Sequence, residues 1–592
     1  MFSFKYDTSY KHITFPKYYL MTCFTKLNPL LSFLLSLILF ISAAQVIEAQ
    51  VSDPIPYNNA AISTADIYAT QAGIEILQKG GNAIDAAVAV QFALAVTLPR
   101  AGNIGGGGFM MLHLADGDVK ALDFREKAPS RATRNMFLDE NGQYVPGLSR
   151  SGGLASGVPG TVDGMISALE RHGTLPLEVV LEPAIRLAEN GFELTHSHAQ
   201  SLNQHRDEFL KYEGSRAIFL RPDSTLWEAG HILSQPDLAV TFNRIAQRGR
   251  DGFYSGYTAR LIIDEQQRQG GRMTLRDLRN YDSVWRDPII KDFNGNRLFM
   301  MPPPSSGGIV MSQVLTMVEG IDPDSTGVNS SYYIHLISEA LRRSFADRNF
   351  YLGDPDFTKM PIDTLLSESY NRNRFSDFES NRATSSKDVS YGRISGYAES
   401  DQTTHFSVVD SDGNAVAVTT TLNGSYGSHV TVTGAGFLMN NEMDDFSAKP
   451  GEPNMYGLIG AEANSIEPGK RMLSSMSPTI ITQDGRLKMV AGGSGGPTII
   501  TAVLQNILNH ILFGMDANEA ISAPRFHHQW LPDLIEVEKF TLPDDVTENL
   551  RAKNHDIRII GTLARTHIII VDENGNITGA ADPRGYGTIL GY

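Results

Sequence analysis

The chain has 592 residues, of which 42% are hydrophobic and 9% aromatic, so it can bury a sizeable core in one large domain or in several. Its formal net charge of −16 at pH 7 argues against nucleic acid and against anionic membrane surfaces as partners. Composition and charge are those of a soluble globular protein.

An apolar run over residues 30–44 follows Lys26 near the N-terminus. A positive residue, a short apolar segment and small residues at its end form the order of a secretory signal peptide. The run is short for a membrane span, so we expect residues 1–44 to be cleaved off, with Met21 as an alternative start. Cys23 is the only cysteine and would leave with them, so no disulfide is predicted. The mature protein is expected in the periplasm or outside the cell, with no stable membrane span.

Two helices are predicted next. Residues 63–66, Ser-Thr-Ala-Asp, have the spacing of a capping box, residues 67–79 have helical periodicity, and Gly80 and Gly81 end the helix. Residues 83–96 are apolar nearly all round. This pattern predicts a second helix that is buried between layers.

A glycine run follows at residues 102–110. No Lys-Ser or Lys-Thr comes after it, and a strand follows instead of a helix, so both nucleotide-binding fingerprints are excluded and close backbone packing is predicted. Residues 109–114 and 119–124 then read as a hairpin that ends at Arg125. Composition alone describes Arg125 as part of a solvated strand end.

The middle of the chain, residues 157–349, is predicted to be mostly amphipathic helices with short connectors. Residues 303–308, Pro-Pro-Ser-Ser-Gly-Gly, separate a strand from a helix over 310–319. Residues 371–401 are polar and low in large apolar side chains, which predicts a mobile surface loop.

The second hairpin is the most informative stretch. Residues 404–410 alternate and are rich in β-branched side chains, 411–414 form a turn, and 415–421 return as a second strand. A threonine pair at the start of a strand is by itself ordinary β-propensity. If the peptide bond before Thr403 were cut, however, one residue would carry a nucleophilic hydroxyl and a free α-amine that can act as its base.

Beyond the hairpin, residues 440–457 collect acids, amides, proline and glycine, which predicts a loop. Residues 471–479 lead into one strand, and 487–491 form the next. The glycine-rich turn at 492–497 then opens a helix over 498–513. Backbone amides at such a turn can receive the negative charge that develops during acyl transfer.

The histidine pairs His196/His198 and His527/His528 lack the spacing of zinc-binding motifs, so structural roles are predicted for them. No metal and no cofactor are predicted. The sequence has no internal repeat and no low-complexity tract.

The segment Glu-Ser-Asp-Gln-Thr-Thr-His-Phe-Ser-Val-Val-Asp at 399–410 resembles the maturation site of γ-glutamyltranspeptidases, which are N-terminal nucleophile hydrolases. The resemblance runs from about residue 55 to the C-terminus. It includes the glycine motif at 102–110, Asp-Phe-Arg-Glu at 123–126, the turn at 303–308 and the loop at 440–457. It implies an α/β (α+β) fold of four layers, αββα, in which two stacked, mainly antiparallel sheets are flanked by helices.

The resemblance also implies self-cleavage between Gln402 and Thr403. The products would be a large subunit, 45–402, and a small catalytic subunit, 403–592, which stay together as one intertwined globular unit. The large subunit would contribute Arg125 to the binding pocket, and the small subunit would contribute all other pocket residues.

The resemblance assigns roles to single residues. Thr403 would be the nucleophile with its α-amine as base, Thr421 would orient it, and the amides of Gly495 and Gly496 would stabilise the oxyanion. The α-carboxylate of the substrate is assigned to Arg125, Ser474 and Ser475, its ammonium group to Asn423, Glu442 and Asp445, and the gate of a lid over the pocket to Tyr456.

The implied activity is transfer of the γ-glutamyl group of glutathione and related compounds to water or to an amino-acid or dipeptide acceptor. Two alternatives stay open. A glutaryl or cephalosporin acylase of the same superfamily would share the self-cutting residue but would need no ammonium site. An inactive exported binding protein could retain the fold.

Overall fold

The computed structural model describes residues 53–389 and 403–592, except 450, 452, 453, 456, 459, 540 and 541. The predicted leader, Gln402 of the cleavage site and Tyr456 of the lid lie outside the described residues. Among the residues described, no helix is both long and apolar enough to cross a membrane.

The strands alternate with helices along much of the chain. They are β1 (Ala61–Thr64), β2 (Gly107–His113), β3 (Val119–Asp123), β4 (Phe192–Glu193), β5 (Ile232–Leu233), β6 (Val284–Arg286), β7 (Ile289–Phe293), β8 (Asn296–Met300), β9 (Thr404–Val409), β10 (Ala415–Thr421), β11 (Thr479–Gln483), β12 (Arg486–Ser494), β13 (Phe526–His527), β14 (Ile535–Glu538), β15 (Ile557–Ile560), β16 (Arg565–Val571), β17 (Ile577–Ala581) and β18 (Thr588–Gly591).

The helices are α1 (Ile67–Gln78), α2 (Ala83–Thr97), α3 (Pro146–Arg150), α4 (Thr161–His172), α5 (Leu177–Asn190), α6 (His196–Gln204), α7 (Arg206–Phe209), α8 (Glu213–Phe219), α9 (Pro236–Arg248), α10 (Asp251–Tyr254), α11 (Gly256–Arg268), α12 (Leu275–Arg279), α13 (Gly307–Met317), α14 (Pro323–Thr326), α15 (Ser331–Tyr351), α16 (Ile362–Leu366), α17 (Glu368–Arg374), α18 (Thr498–Ile511), α19 (Ala517–Ser522) and α20 (Asp544–Ala552). Short 3-10 helices lie at Gly153–Ala155, Glu442–Asp445 and Glu462–Asn464.

Two large antiparallel sheets organise the molecule. The first has the strand order β18-β1-β9-β10-β2-β3-β6, and the second has the order β17-β16-β12-β11-β8-β7. Side chains alternate between two cores: along β10, Val416 and Val418 pack with helices α1 and α2, whereas Ala415 and Ala417 face the other sheet. The second core continues to α13, α15 and α18 on the far side. The predicted four-layer αββα arrangement is confirmed.

The predicted buried helix is confirmed as α2, in which every residue is buried. It begins where the sequence gives a start signal. The Asn82 side chain accepts hydrogen bonds from the amides of Ile84 and Asp85, each at 3.0 Å, and the Asp85 carboxylate completes a capping box. The helix therefore has both a capped N-terminus and apolar neighbours on every side.

The predicted cap of the first helix is wrong by three residues. Asp66 is the N-cap of α1, since its carboxylate accepts from the amides of Tyr68 and Ala69 at 3.0 and 3.2 Å. Ser63 lies instead in β1, where its hydroxyl contacts His567 Nδ1 at 3.0 Å. This four-residue strand pairs with β9 on one side and β18 on the other, and these partners are distant in sequence.

The region 157–349 is mostly helical, as predicted, with a strand before residue 303; it also holds further strands, and β6, β7 and β8 extend the two large sheets. Of the predicted surface loop, residues 371–374 belong to helix α17, and residues 390–401 lie outside the described residues. Between them, two hydrogen bonds hold Ser386. The Ser386 amide donates to Asp533 Oδ2 at 2.8 Å, and Trp530 Nε1 donates to the Ser386 carbonyl at 3.0 Å. These bonds connect positions far apart in sequence, so no local pattern could indicate them.

Candidate active site

Thr403 directly precedes β9 in the centre of the first sheet. β9 and β10 form the predicted hairpin, with Thr404 opposite Thr420. This register brings Thr403 and Thr421 together at the open end of the hairpin, and both line the same cavity. The Thr421 Oγ1 accepts a hydrogen bond from the Asn423 amide at 2.7 Å.

The glycine run permits the close approach of β2 to this hairpin. A Cβ atom on Gly106 would lie 2.0 Å from the Thr421 carbonyl oxygen, and one on Gly108 would lie 2.3 Å from that of Thr419. Asn103 Nδ2 also donates to the Thr421 carbonyl at 2.9 Å. The predicted packing role of the glycines is confirmed, because any side chain would push β10 and Thr421 away.

His405 lies two residues after Thr403 and is buried between the sheets. Its ring nitrogens contact Thr419 Oγ1 at 2.8 Å and Ser407 Oγ at 3.1 Å. Burial lowers the pKa of His405 well below its usual value, and the neighbouring His567 lowers it further. The ring is therefore neutral and engaged with hydroxyl groups, as expected of a structural residue rather than of a base.

The predicted oxyanion turn connects β12 to α18. Gly495 has φ +139° and Gly496 has φ +55°, and a Cβ on Gly495 would lie 2.7 Å from Ala564 Cα. Glycine is needed there for both conformation and space. Gly496 and Pro497 line the cavity together with Thr403. Backbone amides at the start of α18 thus lie beside the candidate nucleophile.

Arg125 forms the charged end of the cavity. It is fully buried, which corrects the composition-based expectation of a solvated strand end. Its guanidinium forms ion pairs with Glu442 and, at 2.5 Å, with Asp445 Oδ2. Its Nε donates to the Met472 carbonyl at 3.3 Å. A planar guanidinium held in this way has the geometry that a carboxylate ligand requires.

Three carboxyl groups share the charge of Arg125. Burial raises the pKa of Glu442 well above its usual value, that of Asp445 to about 6 and that of Glu126 to about 7, while the Arg125 charge opposes each rise. Glu126 lies 3.6 Å from Arg125 Nη1, and neither of its oxygens has a hydrogen-bond partner among the described residues. One cation therefore cannot keep all three groups ionised.

The predicted residues converge on one cavity. Of the predicted residues, those that line it are Arg125, Thr403, Thr421, Asn423, Glu442, Asp445, Ser474, Ser475 and Gly496. Gly495 adjoins this set without lining the cavity. Asn423 has φ +72°, and its Nδ2 donates to the Asn441 carbonyl at 3.1 Å.

Arg348 is a cavity residue that was not predicted from the sequence. This side chain projects from α15 and lines the cavity, so the expectation that only Arg125 would come from the segment before Thr403 is wrong. Its position inside a long helix that also carries Arg342 and Arg343 gives no local signal of a binding role. Only the packing of α15 against the loop at 474–476 brings it to the site.

One cluster with metal-ligating side chains also escaped the sequence analysis. His335, Glu339 and His555 place donor atoms within 4.8 Å of one another. The Glu339 carboxylate is, however, bonded to Arg342 at 3.1 Å and to Arg343 at 2.8 Å. Two guanidinium charges beside the only carboxylate of the cluster oppose the binding of a cation.

Two stacked antiparallel sheets between helices, with a threonine at the head of a central strand and a glycine turn lining the same cavity, define the class of N-terminal nucleophile hydrolases. The comparisons with known proteins agree. The family model described as Gamma-glutamyltranspeptidase matches residues 69–592. The chain belongs to the γ-glutamyltranspeptidase family.

Individual relatives cover most of the chain. It is 46% identical over 539 residues to the glutathione hydrolase proenzyme of Escherichia coli (strain K12), covering 91% of this chain and 92% of that protein. The crystal structure of the γ-glutamyltranspeptidase of Helicobacter pylori is similar with a TM-score of 0.54 and 44% identity, over 55% of this chain and 93% of that chain. The cephalosporin acylase from Bacillus halodurans has a TM-score of 0.81 and 26% identity, over 91% and 97%.

Proposed function

We propose that Thr403 first cleaves its own chain and then serves as the nucleophile of γ-glutamyl transfer. The chain is a γ-glutamyltransferase and glutathione hydrolase, as its family and its 46% identity to a glutathione hydrolase proenzyme indicate. One observation carries the assignment of the residues: Thr403, the Gly496 turn and Arg125 with its two acids line a single cavity.

In maturation, Thr403 Oγ attacks the carbonyl carbon of Gln402, and the bond from that carbon to the Thr403 nitrogen breaks. That step frees the Thr403 α-amine and leaves an ester between the Gln402 carbonyl carbon and Thr403 Oγ. Water then hydrolyses the ester, which restores the Thr403 hydroxyl, gives Gln402 a carboxylate and leaves subunits 45–402 and 403–592. The sheet supports their continued association. β9 pairs with β1, and β10 pairs with β2, so backbone hydrogen bonds join the two subunits on both sides of the hairpin.

In turnover, the Thr403 α-amine, whose reference pKa is about 8, accepts the hydroxyl proton as Oγ attacks the γ-carbonyl of the substrate. The amides of Gly495 and Gly496 donate to the oxyanion, an interaction typically worth roughly 100- to 1,000-fold in rate. The tetrahedral intermediate expels the leaving amine, which takes the proton. Water, or the amine of an amino acid or dipeptide, then attacks the γ-glutamyl ester of Thr403.

Recognition works by exchange of ion pairs. The buried Arg125 is paired with Glu442 and Asp445. The free amino-acid end of a γ-glutamyl group carries one carboxylate and one ammonium group. Its carboxylate binds to Arg125, Ser474 and Ser475, and its ammonium group binds to the two acids that Arg125 releases. Every charge then keeps a partner.

This paired arrangement favours γ-glutamyl substrates over the acylase alternative, because a glutaryl group has no ammonium to bind the acids that Arg125 would release. Asn423 adds a third polar group on the ammonium side, and Tyr456 is proposed as the gate of a lid over the pocket. Export to the periplasm or the medium is inferred from the leader at residues 1–44.

Electrophoresis under denaturing conditions tests the self-cleavage. Wild type should give two bands, and Thr403→Ala should give one band of their combined mass, which is below the 64.9 kDa of the full sequence once the leader is removed. Thr404→Ala is the matched control, since it removes the neighbouring threonine, and it should still give two bands. Stepwise N-terminal sequencing of the smaller band should read Thr-Thr-His-Phe. A different first residue in an active preparation would refute the assignment of Thr403.

Two chromogenic substrates then separate the remaining alternatives. A γ-glutamyl anilide should be turned over, and a glutaryl anilide should be turned over far more slowly. The reverse preference would indicate an acylase. No turnover of either substrate by correctly cleaved protein would indicate a binding protein.

A further inference from the structure

Arg348 is a buried cation that forms no ion pair among the described residues; Asp445, which is already paired with Arg125, acts on its charge from beyond 4 Å. Its side chain is 4% exposed and lines the same cavity as Thr403 and Arg125. Its hydrogen bonds are all to neutral groups: Nε to Ser306 Oγ at 3.0 Å, Nη1 to Asn349 Oδ1 at 2.9 Å and Nη2 to Ser475 Oγ at 3.1 Å. No carboxylate of the described residues lies within 4 Å of it.

Other buried arginines of the described chain differ in this respect. The fully buried ones, Arg125, Arg342, Arg343, Arg471 and Arg525, all have a carboxylate within 4 Å. Removing a guanidinium from water without a counter-ion is costly, and proteins tolerate it mainly where a ligand supplies the missing charge. The position of Arg348 beside the cavity therefore indicates an anionic ligand group.

The contacts of Arg348 also fix the direction of a hydroxyl group. Arginine only donates hydrogen bonds, so Ser475 Oγ must accept from Nη2. The hydroxyl hydrogen of Ser475 then points away from Arg348. Ser475 lines the cavity, so that hydrogen is available to a ligand oxygen.

We propose that Arg348 is a positioning residue of the carboxylate subsite, which holds Ser475 as a donor to the α-carboxylate of the substrate and adds positive charge beside it. This inference rests on the proposed function of the cavity. Burial lowers the pKa of Arg348 to about 10, which leaves the guanidinium charged at neutral pH. Three carboxyl groups lie around Arg125, so the added charge of Arg348 favours a negatively charged ligand at this end.

The test compares a γ-glutamyl anilide with a 4-aminobutyryl anilide, which has the same ammonium group but lacks the α-carboxylate. In Arg348→Gln, the preference for the γ-glutamyl substrate, measured as the ratio of the two kcat/KM values, should fall roughly 10- to 100-fold, as for the loss of a hydrogen bond to a charged group. The loss should appear mainly in KM, because the carboxylate is held equally in ground and transition states. Self-cleavage should be normal.

Arg348→Lys should give an intermediate ratio, since it keeps the charge but cannot bond both serines in the same geometry. In the double variant Arg348→Gln/Ser475→Ala, the ratio should be close to that of the more affected single variant, because the two residues are proposed to act together on the carboxylate. Asn349→Ala is the matched control: it removes a neutral contact of the same guanidinium and should change both substrates by a similar factor.

An equal loss with both substrates in Arg348→Gln would overturn the proposal, because it would show a general structural role. Failure of both Arg348 variants to self-cleave would overturn it for the same reason. Wild type in the same assay shows whether the cavity turns over γ-glutamyl substrates at all, so a failure of the proposed function is recognised separately.

Discussion

The two ends of the active-site cavity are built on different principles. At the end proposed to hold the nucleophile, Thr403 directly precedes β9 and Thr421 ends β10 of the same hairpin, and Gly496 lines the same cavity. At the end proposed for recognition, the charged groups of Arg125, Arg348 and Asp445 come from three separate segments, and the two arginines are buried.

The two ends should therefore be sensitive to different kinds of mutation. The nucleophile end depends on backbone geometry, so steric changes near β10 should damage it even when no polar group is lost. The recognition end depends on balanced charges in a buried place, where removing one partner leaves the others uncompensated. Chemistry and recognition should therefore be separable by mutation.

The largest effect is expected from Arg125→Ala and Asp445→Ala. Each breaks a buried ion pair of the recognition end, so kcat/KM for a γ-glutamyl anilide should fall by roughly 100- to 1,000-fold or more. Both variants should still show two bands on a denaturing gel, because neither residue takes part in processing.

The control for these variants is Arg134→Ala, which removes an exposed Arg134–Glu462 ion pair and should leave turnover nearly unchanged. Loss of processing in both Arg125→Ala and Asp445→Ala would contradict the separation of the two ends.

Gly106→Ala should disturb the nucleophile end of the cavity, although it removes no functional group. The new methyl group would meet the Thr421 carbonyl at 2.0 Å, so we expect a destabilisation of roughly 1–3 kcal/mol and slower self-cleavage. Thermal unfolding and the time course of band formation measure the two effects. Gly147→Ala is the control, because a Cβ there meets nothing within 4 Å. Wild-type processing in Gly106→Ala would show that β10 can shift without harm.

A smaller effect is expected from Glu442→Gln, which keeps the side-chain shape and an oxygen that can accept from Arg125 but removes one negative charge near the substrate ammonium. The KM for the γ-glutamyl anilide should rise by roughly 3- to 10-fold, with little change in kcat. Initial-rate kinetics give both constants. A fall in kcat at constant KM would place Glu442 in the chemical step instead of in binding.

The last prediction concerns pH and Glu126, which affects stability rather than turnover. Because burial raises its pKa from 4.5 to about 7, the folded protein keeps a proton there that the unfolded chain loses. Its contribution to stability is complete below about pH 4.5 and is lost as the pH rises through about 7. Glu126→Gln should therefore reduce the loss of unfolding free energy between pH 5 and pH 8, by at most about 3 kcal/mol. An unchanged pH profile would contradict the raised pKa.

The sequence indicated the elements whose signals are local. The alternation of 404–410 and 415–421 predicted the β9–β10 hairpin, the apolar run after Asn82 predicted α2, and the turn at 492–497 predicted the start of α18. These elements are determined by neighbours along the chain, through side-chain periodicity and turn residues. The roles of single residues came from resemblance to a family.

The tertiary structure decided the rest. Short strands such as β1 form because distant partners supply their hydrogen bonds, and the segment around Ser386 is ordered by Trp530 and Asp533. The sequence by itself determined the nucleophile hairpin. Only the folded chain could show that Arg348 shares its cavity, because burial and charge pairing are properties of positions in space, and these depend on segments that no local pattern connects.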